Sequence, residues 1–253
     1  MRRFDGKVAL VTGAATGIGR ATAEYLHSEG ARVYGIGLDG DEGRRVHAGR
    51  QPGLVFRETD LRETVAVNAA VDDLVSHFGK LDAVINCAGT YATGKRLEEL
   101  SDAEWDLTID VNLGAIFKVC RATLPLLRTA GGGSVVNIAS VHADATVPRV
   151  PAYAASKAGV VGLSRQLALD YAVDRIRVNA VLVGSVATRM TLDGLEAAGG
   201  AEALGLSFEK NRIARIAEPR EIATAIGFLI SDEASFVTGS AMQVDGGMLA
   251  RLL

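Results

Sequence analysis

The run Lys7-Val-Ala-Leu-Val-Thr12-Gly13-Ala-Ala-Thr16-Gly17-Ile18-Gly19-Arg20, continued by Ala-Thr-Ala-Glu-Tyr-Leu-His-Ser-Glu-Gly30, decides the fold class. Its first six residues are a short apolar segment suited to a strand buried on both faces. A glycine-rich turn follows at once, and then a segment that reads as a helix closed by a glycine. That order is the setting of a phosphate-binding turn. Glycine lets backbone approach a pyrophosphate, and a helix N-terminus offers unpaired N–H groups and a partial positive charge. The spacing is G-x-x-x-G-x-G rather than the general G-x-G-x-x-G.

Working outward, the pattern repeats. Strands are expected over 7–12, 31–36, 54–58, 81–86, 134–140, 176–183 and 239–244. Helical periodicity separates them over 20–30, 63–78, 97–128, 153–171 and 218–230, with Ser101 or Asp102 as a cap of the third. Strands alternating with helices, without linker or repeat, imply one α/β domain over 1–253: a parallel sheet wrapped on both faces. From 186 to 217 the periodicity weakens and small residues gather at Ala197-Ala-Gly-Gly-Ala201, so a mobile segment covering the substrate is expected there. Past the second strand come Gly37-Leu38-Asp39, where a dinucleotide's adenosine ribose would lie. Asp39 would accept from a 2′-hydroxyl and repel a 2′-phosphate, which favours NAD over NADP. Arg44 and Arg45, a few residues on, weigh the other way.

At 253 residues, 48% hydrophobic and 23% charged, the chain is long enough for a well-buried core. A net charge of -3, with basic residues scattered, gives no footprint for nucleic acid. Cys87 and Cys120 lack metal spacing and suit buried thiols in a reducing compartment, and no metal site is expected. The polar N-terminus is unlike a signal peptide, and no apolar run is long enough for a membrane span. A soluble, cytoplasmic protein is therefore expected.

The chemistry concentrates in Ser140-Val-His-Ala-Asp-Ala-Thr-Val-Pro-Arg-Val-Pro-Ala-Tyr153-Ala-Ala-Ser-Lys157. Pro148 and Pro151 keep the middle out of helix, so a loop separates the strand ending at Ser140 from a helix beginning near Tyr153. Tyr153 and Lys157 then share one helical face. A neighbouring ammonium would stabilise the phenolate and bring a tyrosine, ordinarily near pH ~10, toward the working range of a general acid or base. Tyr-x-x-x-Lys alone is common on helix surfaces. Asn112, inside an apolar helical run, is expected to be buried and to need a partner.

Together these residues resemble the short-chain dehydrogenase/reductase family over essentially the whole chain. Thr12-Gly-Ala-Ala-Thr-Gly-Ile-Gly19 is similar to its T-G-x-x-x-G-x-G turn and Asn86-Cys-Ala-Gly89 to N-N-A-G. Asn112, Ser140, Tyr153 and Lys157 match its active-site asparagine, serine and Y-x-x-x-K. The resemblance implies a Rossmann-type doubly wound sheet of about seven parallel strands. It implies an NAD(P)-dependent alcohol dehydrogenase or carbonyl reductase, and a homotetramer. In that reading Tyr153 moves the hydroxyl proton as hydride passes between substrate carbon and nicotinamide, and Ser140 holds the substrate oxygen. Lys157 lowers the tyrosine pKa and binds the nicotinamide ribose, while Asn112 keeps a water in the relay. The cofactor would meet Gly13, Thr16, Gly17, Ile18, Gly19, Asp39, Asp60, Leu61, Asn86, Ala88, Gly89, Gly184, Val186 and Thr188, besides Tyr153 and Lys157. Tyr91, Thr93, His142, Arg149 and Met190 would border the substrate, a small alcohol or ketone. The apolar C-terminal Met248-Leu-Ala-Arg-Leu-Leu253 would suit a subunit contact. Two positions depart from the family: Cys87, which would place an oxidisable thiol near the cofactor, and Val183 before Gly184, where a proline is usual. Two other readings are a 3-oxoacyl-carrier-protein reductase, against which Asp39 and a pI near 5.9 speak, and a catalytically silent dinucleotide-binding regulator.

Overall fold

The computed structural model describes residues 2–47, 53–91, 94–197, 199–209 and 212–251. Its strands are β1 (Val8–Thr12), β2 (Arg32–Gly37), β3 (Leu54–Glu58), β4 (Ala83–Asn86), β5 (Gly133–Ile138), β6 (Ile176–Val183) and β7 (Ala241–Val244). They form one 7-stranded sheet in the order β3-β2-β1-β4-β5-β6-β7, each neighbouring pair parallel. The helices are α1 (Gly17–Ser28), α2 (Gly40–His47), α3 (Thr64–Phe78), α4 (Asp102–Ile109), α5 (Ala115–Thr129), α6 (Pro151–Asp170), α7 (Arg189–Ala197) and α8 (Pro219–Ile230). This is the doubly wound arrangement the alternation of segments implies.

Alternate residues of each strand feed opposite cores, as a period of two requires. Val8, Leu10, Val84 and Val135 pack on Leu74 of α3, Val119 of α5 and Val160 of α6. Ala9, Val11, Ile85 and Val136 pack on Leu26 of α1 and Ile222 and Ile226 of α8. β1, buried at every position, therefore reads as an unbroken apolar run rather than an alternating one. The order reverses between β1 and β4, and a crevice opens there at the strands' carboxyl ends, where such sheets bind ligands.

Three local features differ from the sequence reading. Pro151 begins α6 instead of preceding it, because the first turn has no use for the amide proline lacks. The stretch expected to be helix-rich over 97–128 is broken: α4 and α5 are joined by a π-turn over Asp110–Gly114. Ser101 caps α4, accepting from Glu104 N at 3.3 Å while the Glu104 carboxylate accepts from Ser101 N at 2.9 Å. The excursion from 186 to 217 contains α7, and it returns to its start through a bridge between Val186 and Ala217. At the C-terminus Leu249 packs back against the core, and 252–253 lie outside the described residues. Among the described residues no helix is long and apolar enough to cross a membrane.

Candidate active site

At the crevice the buried Thr12 hydroxyl accepts from the amides of Cys87 and Ala88, both at 3.0 Å, and so ties the ends of β1 and β4 together. Gly13 has φ 64, and a Cβ there would lie 3.0 Å from Ala88 Cα; one on Gly19 would lie 2.2 Å from Gly13 O. Neither position has room for a side chain. Thr188 sits over Gly17, its Cγ2 3.1 Å from where a Cβ would be, so the loop after β6 is seated on the glycine turn. Thr16 is exposed and makes no cap bond, and Ile18 packs on the α1/α8 core. The first-turn amides of Gly17, Ile18 and Gly19 have no intrahelical acceptor. A narrow cradle lined by backbone N–H groups at a helix N-terminus fits a pyrophosphate.

Past β2, Asp39 is exposed, with no cation partner among the described residues. Asp60 is held by Arg62 at 2.6 Å, which keeps its carboxyl below the usual range. Leu61 buries its side chain in the core, so a ligand there would meet backbone only. Asn86 is also turned inward: its amide donates to Asn137 Oδ1 at 2.8 Å, and Asn137 donates to Ser164 at 2.9 Å. Gly184 lies against β7, where a Cβ would fall 2.8 Å from Asp245 Cα, and its amide donates to Val244 O at 3.2 Å. Val183 thus remains part of the sheet, and the loop is anchored without the proline.

Ser140, Tyr153, Lys157 and Asn112 come together at the ends of β4 and β5. Ser140 is buried and its hydroxyl accepts from His142 N at 3.3 Å. Lys157 is buried one helical turn from Tyr153, its Nζ donating to Ile138 O at 2.8 Å and lying 5.6 Å from the tyrosine ring centroid. Burial lowers the Lys157 ammonium to about 8. Burial likewise pushes Tyr153 up to about 12, opposed by its hydrogen bond to Ser140. Desolvation, which penalises the phenolate, sets the direction in the free protein, where Nζ faces the ring and a carbonyl. Asn112 is fully buried in the π-turn; it accepts from Thr90 N at 2.7 Å and donates to Thr90 O and Ser156 Oγ at 3.0 Å each. Gly89 lies over both, with its missing Cβ 3.1 Å from Asn112 Oδ1 and 3.5 Å from Lys157 Nζ.

Two expected substrate residues join this group and two do not. Tyr91 and His142 stand edge-on to the Tyr153 ring at 4.6 and 5.4 Å between centroids, and 5.9 Å from each other. Burial raises the Tyr91 phenol and lowers the His142 imidazole, so both are neutral at pH 7. Arg149 is exposed at φ 69, its guanidinium donating to Gly94 O, and Met190 is exposed on α7. Thr93 lies outside the described residues. Cys87 keeps some exposed surface, but its sulfur is packed, and desolvation pushes the thiol up to about 12. It is a poor candidate for oxidation, since the thiolate is the reactive form. Thr12 falls in the T-G-x-x-x-G-x-G turn, whereas Asn137, Ser156 and Ser164 occupy no specified position of any motif in the sequence. Polar residues inside apolar runs, such as Asn137 in Ser134-Val-Val-Asn-Ile, were the available signal.

A family model described as enoyl-(acyl carrier protein) reductase matches residues 13–249. The D-threitol dehydrogenase of Mycolicibacterium smegmatis is 38% identical over 97% of this chain and 94% of its own. The chain belongs to the short-chain dehydrogenase/reductase family. The cyclopentanol dehydrogenase of Comamonas testosteroni, another relative, is 38% identical over 99% of this chain and 100% of its own. Among solved structures, levodione reductase superposes with a TM-score of 0.92 at 31% identity, covering 99% of this chain and 100% of that one. As a short-chain dehydrogenase/reductase, this protein is an oxidoreductase that works with a nicotinamide cofactor on alcohol and ketone groups.

Proposed function

We propose that this protein oxidises a secondary alcohol, or reduces the matching ketone, with NAD and with Tyr153 as the proton-transferring group. The observation that carries this is the convergence of Ser140, Tyr153 and the buried Lys157 beside the crevice between β1 and β4. When bound, a nicotinamide cofactor would supply the hydride chemistry. The chain supplies everything else. Ser140 hydrogen-bonds the substrate oxygen and Tyr153 takes or returns its proton. Lys157 anchors the nicotinamide ribose and links the phenol to the Asn112 turn, where a water continues the relay. The glycine turn, from Gly13 through Thr16 and Gly17 to Ile18 and Gly19, holds the pyrophosphate, and Asp39 the adenosine ribose. The backbone near Asp60, Leu61, Ala88 and Gly89 borders the adenine and the nicotinamide ribose. Asn86 supports that strand end, and Gly184, Val186 and Thr188 run along the nicotinamide. The 186–217 excursion, α7 included, covers the substrate.

For the substrate, the support is the aromatic wall that Tyr91 and His142 build around Tyr153. Flat, neutral, mostly apolar rings suit an alicyclic or short aliphatic alcohol better than a charged one. The two unpaired cysteines accord with a cytoplasmic location, and exposed apolar residues on α5 and α6 with a homotetramer. The test is turnover on a panel of cyclic and linear secondary alcohols and a 3-oxoacyl thioester, with NAD and NADP each. Oxidation of cyclic alcohols with NAD, cut by roughly 10²-fold or more in Tyr153→Phe, is the expected result. Preference for the thioester would move the protein to the carrier-protein reductases, and turnover in Tyr153→Phe close to that of wild type would overturn the assignment of the acid/base.

A further inference from the structure

Beside Asp39 lies a hollow of about 560 Å³, reached by α2 and by the start of α7. Each arginine that borders it is already paired. Arg44 Nη2 lies 2.9 Å from Asp41 and its Nη1 3.3 Å from Glu58; Arg45 lies 3.2 Å from Glu42, and Arg189 3.8 Å from Asp193. Of the carboxylates lining the hollow, Asp39 is the one with no cation among the described residues. Arg44 is the most heavily committed arginine, spanning from its own helix to the last residue of β3. What lets Glu58 reach it is the glycine that opens α2. A Cβ on Gly40 would fall 2.1 Å from Glu58 Oε2 and 3.1 Å from Arg44 Nη1, so any larger residue would displace the pair.

We propose that Arg44 is a masked phosphate-binding group: Asp41 and Glu58 clamp its guanidinium, and this clamp, together with Asp39, sets the cofactor preference. The inference rests on the NAD reading above and deepens it. An exposed ion pair holds only weakly, so the masking acts through charge as much as through occupancy. Arg44 with two carboxylates presents net negative charge to an incoming 2′-phosphate. With both carboxylates made amides, it presents a free planar cation with donors suited to phosphate. Removing Asp39 alone therefore abolishes a repulsion without creating an attraction.

Calorimetric binding of adenosine 5′-monophosphate and adenosine 2′,5′-bisphosphate tests this without turnover, because the two ligands differ only by the 2′-phosphate. Asp39→Ala is the reference, compared with Asp39→Ala/Asp41→Asn/Glu58→Gln and with the same protein carrying Arg44→Ala. Opening the clamp should raise affinity for the bisphosphate about tenfold over Asp39→Ala, the worth of one charge-assisted phosphate contact. Affinity for the monophosphate should stay within about twofold, and Arg44→Ala should erase the gain. No gain, or a gain that survives Arg44→Ala, overturns the inference. If the triple variant does not fold, Asp39→Ala/Glu58→Gln reads the same effect in the same direction at smaller size. Failure of the underlying reading looks different: wild-type protein that binds the bisphosphate more tightly than the monophosphate refutes the NAD preference whatever the variants do.

Discussion

Tyr153 and Lys157 are each pushed toward their neutral forms, the phenol up to about 12 and the ammonium down to about 8, both chiefly by desolvation. The free protein therefore stores the proton on the tyrosine. Near-ultraviolet difference titration of wild type against Tyr153→Phe should show this phenol ionising above the ordinary value of about 10. Ionisation below that value in the free protein would mean that the lysine prevails over burial. Tyr153→Phe itself should cut kcat by roughly 10²–10⁴ with cofactor affinity kept, the range for a lost general acid/base. Lys157 also carries a stability signature. Its folded pKa lies below its unfolded value, so between pH about 8 and about 10.4 the unfolded chain binds a proton the folded chain lacks. Stability contributed by this group rises with pH across that window. Urea midpoints at its two ends should show wild type gaining on Lys157→Met as pH increases; a constant difference would place the ammonium's pKa at its ordinary value.

The π-turn between α4 and α5 is the element that aims Asn112 at Thr90, and with it positions the strand end that carries Gly89. Asn112→Ala takes away the partner of the half-buried Thr90 amide and carbonyl, at up to about 1–3 kcal/mol for each group that water does not reach. The melting temperature should fall, and Asn112→Asp, which keeps the acceptor for Thr90 N, should recover part of the loss. Equal losses in both variants would mean that packing, not the Thr90 bond, sets the cost. Elements of this kind mark where the sequence stops being informative. The strand, glycine turn and helix of 7–30 could be read because apolar period, glycine position and helix stop all agree locally. So could the core, since β1 is uniformly apolar and α3 and α8 are periodic. The π-turn leaves the apolar pattern almost unchanged, and α7 leaves Met190 and Leu192 exposed while burying Leu195, so neither announces itself. The partners of Asp60 and Arg44 are likewise hidden: one is a neighbour two residues away, the other arrives from β3, and both depend on side-chain direction. The aromatic wall was legible as positions but not as an arrangement, since Tyr91 and His142 meet Tyr153 only through the parallel pairing of β4 with β5.

For the whole molecule, the helices that carry the site also carry the apolar surface. α5 follows the Asn112 turn and α6 bears Tyr153 and Lys157, and between their outer faces lies a hollow of about 230 Å³ bordered by Phe117, Leu163 and Leu167. Phe117 is 50% exposed and Leu169, further along α6, 75% exposed. If the homotetramer proposed above forms through these helices, Phe117, with Leu163 and Leu167 beside it, would lie at the contact. A second copy placed there would brace α5 and α6 from behind and so would couple assembly to the geometry of the site. Phe117→Glu buries a charge at that contact and should lower the mass seen by sedimentation, with turnover falling alongside it while the isolated subunit stays folded by circular dichroism. Phe236→Asp, at a fully exposed position on the segment between α8 and β7, is the control and should leave the α5–α6 contact intact. A variant at Phe117 that keeps both the wild-type mass and the wild-type turnover would place the association elsewhere and uncouple it from Tyr153.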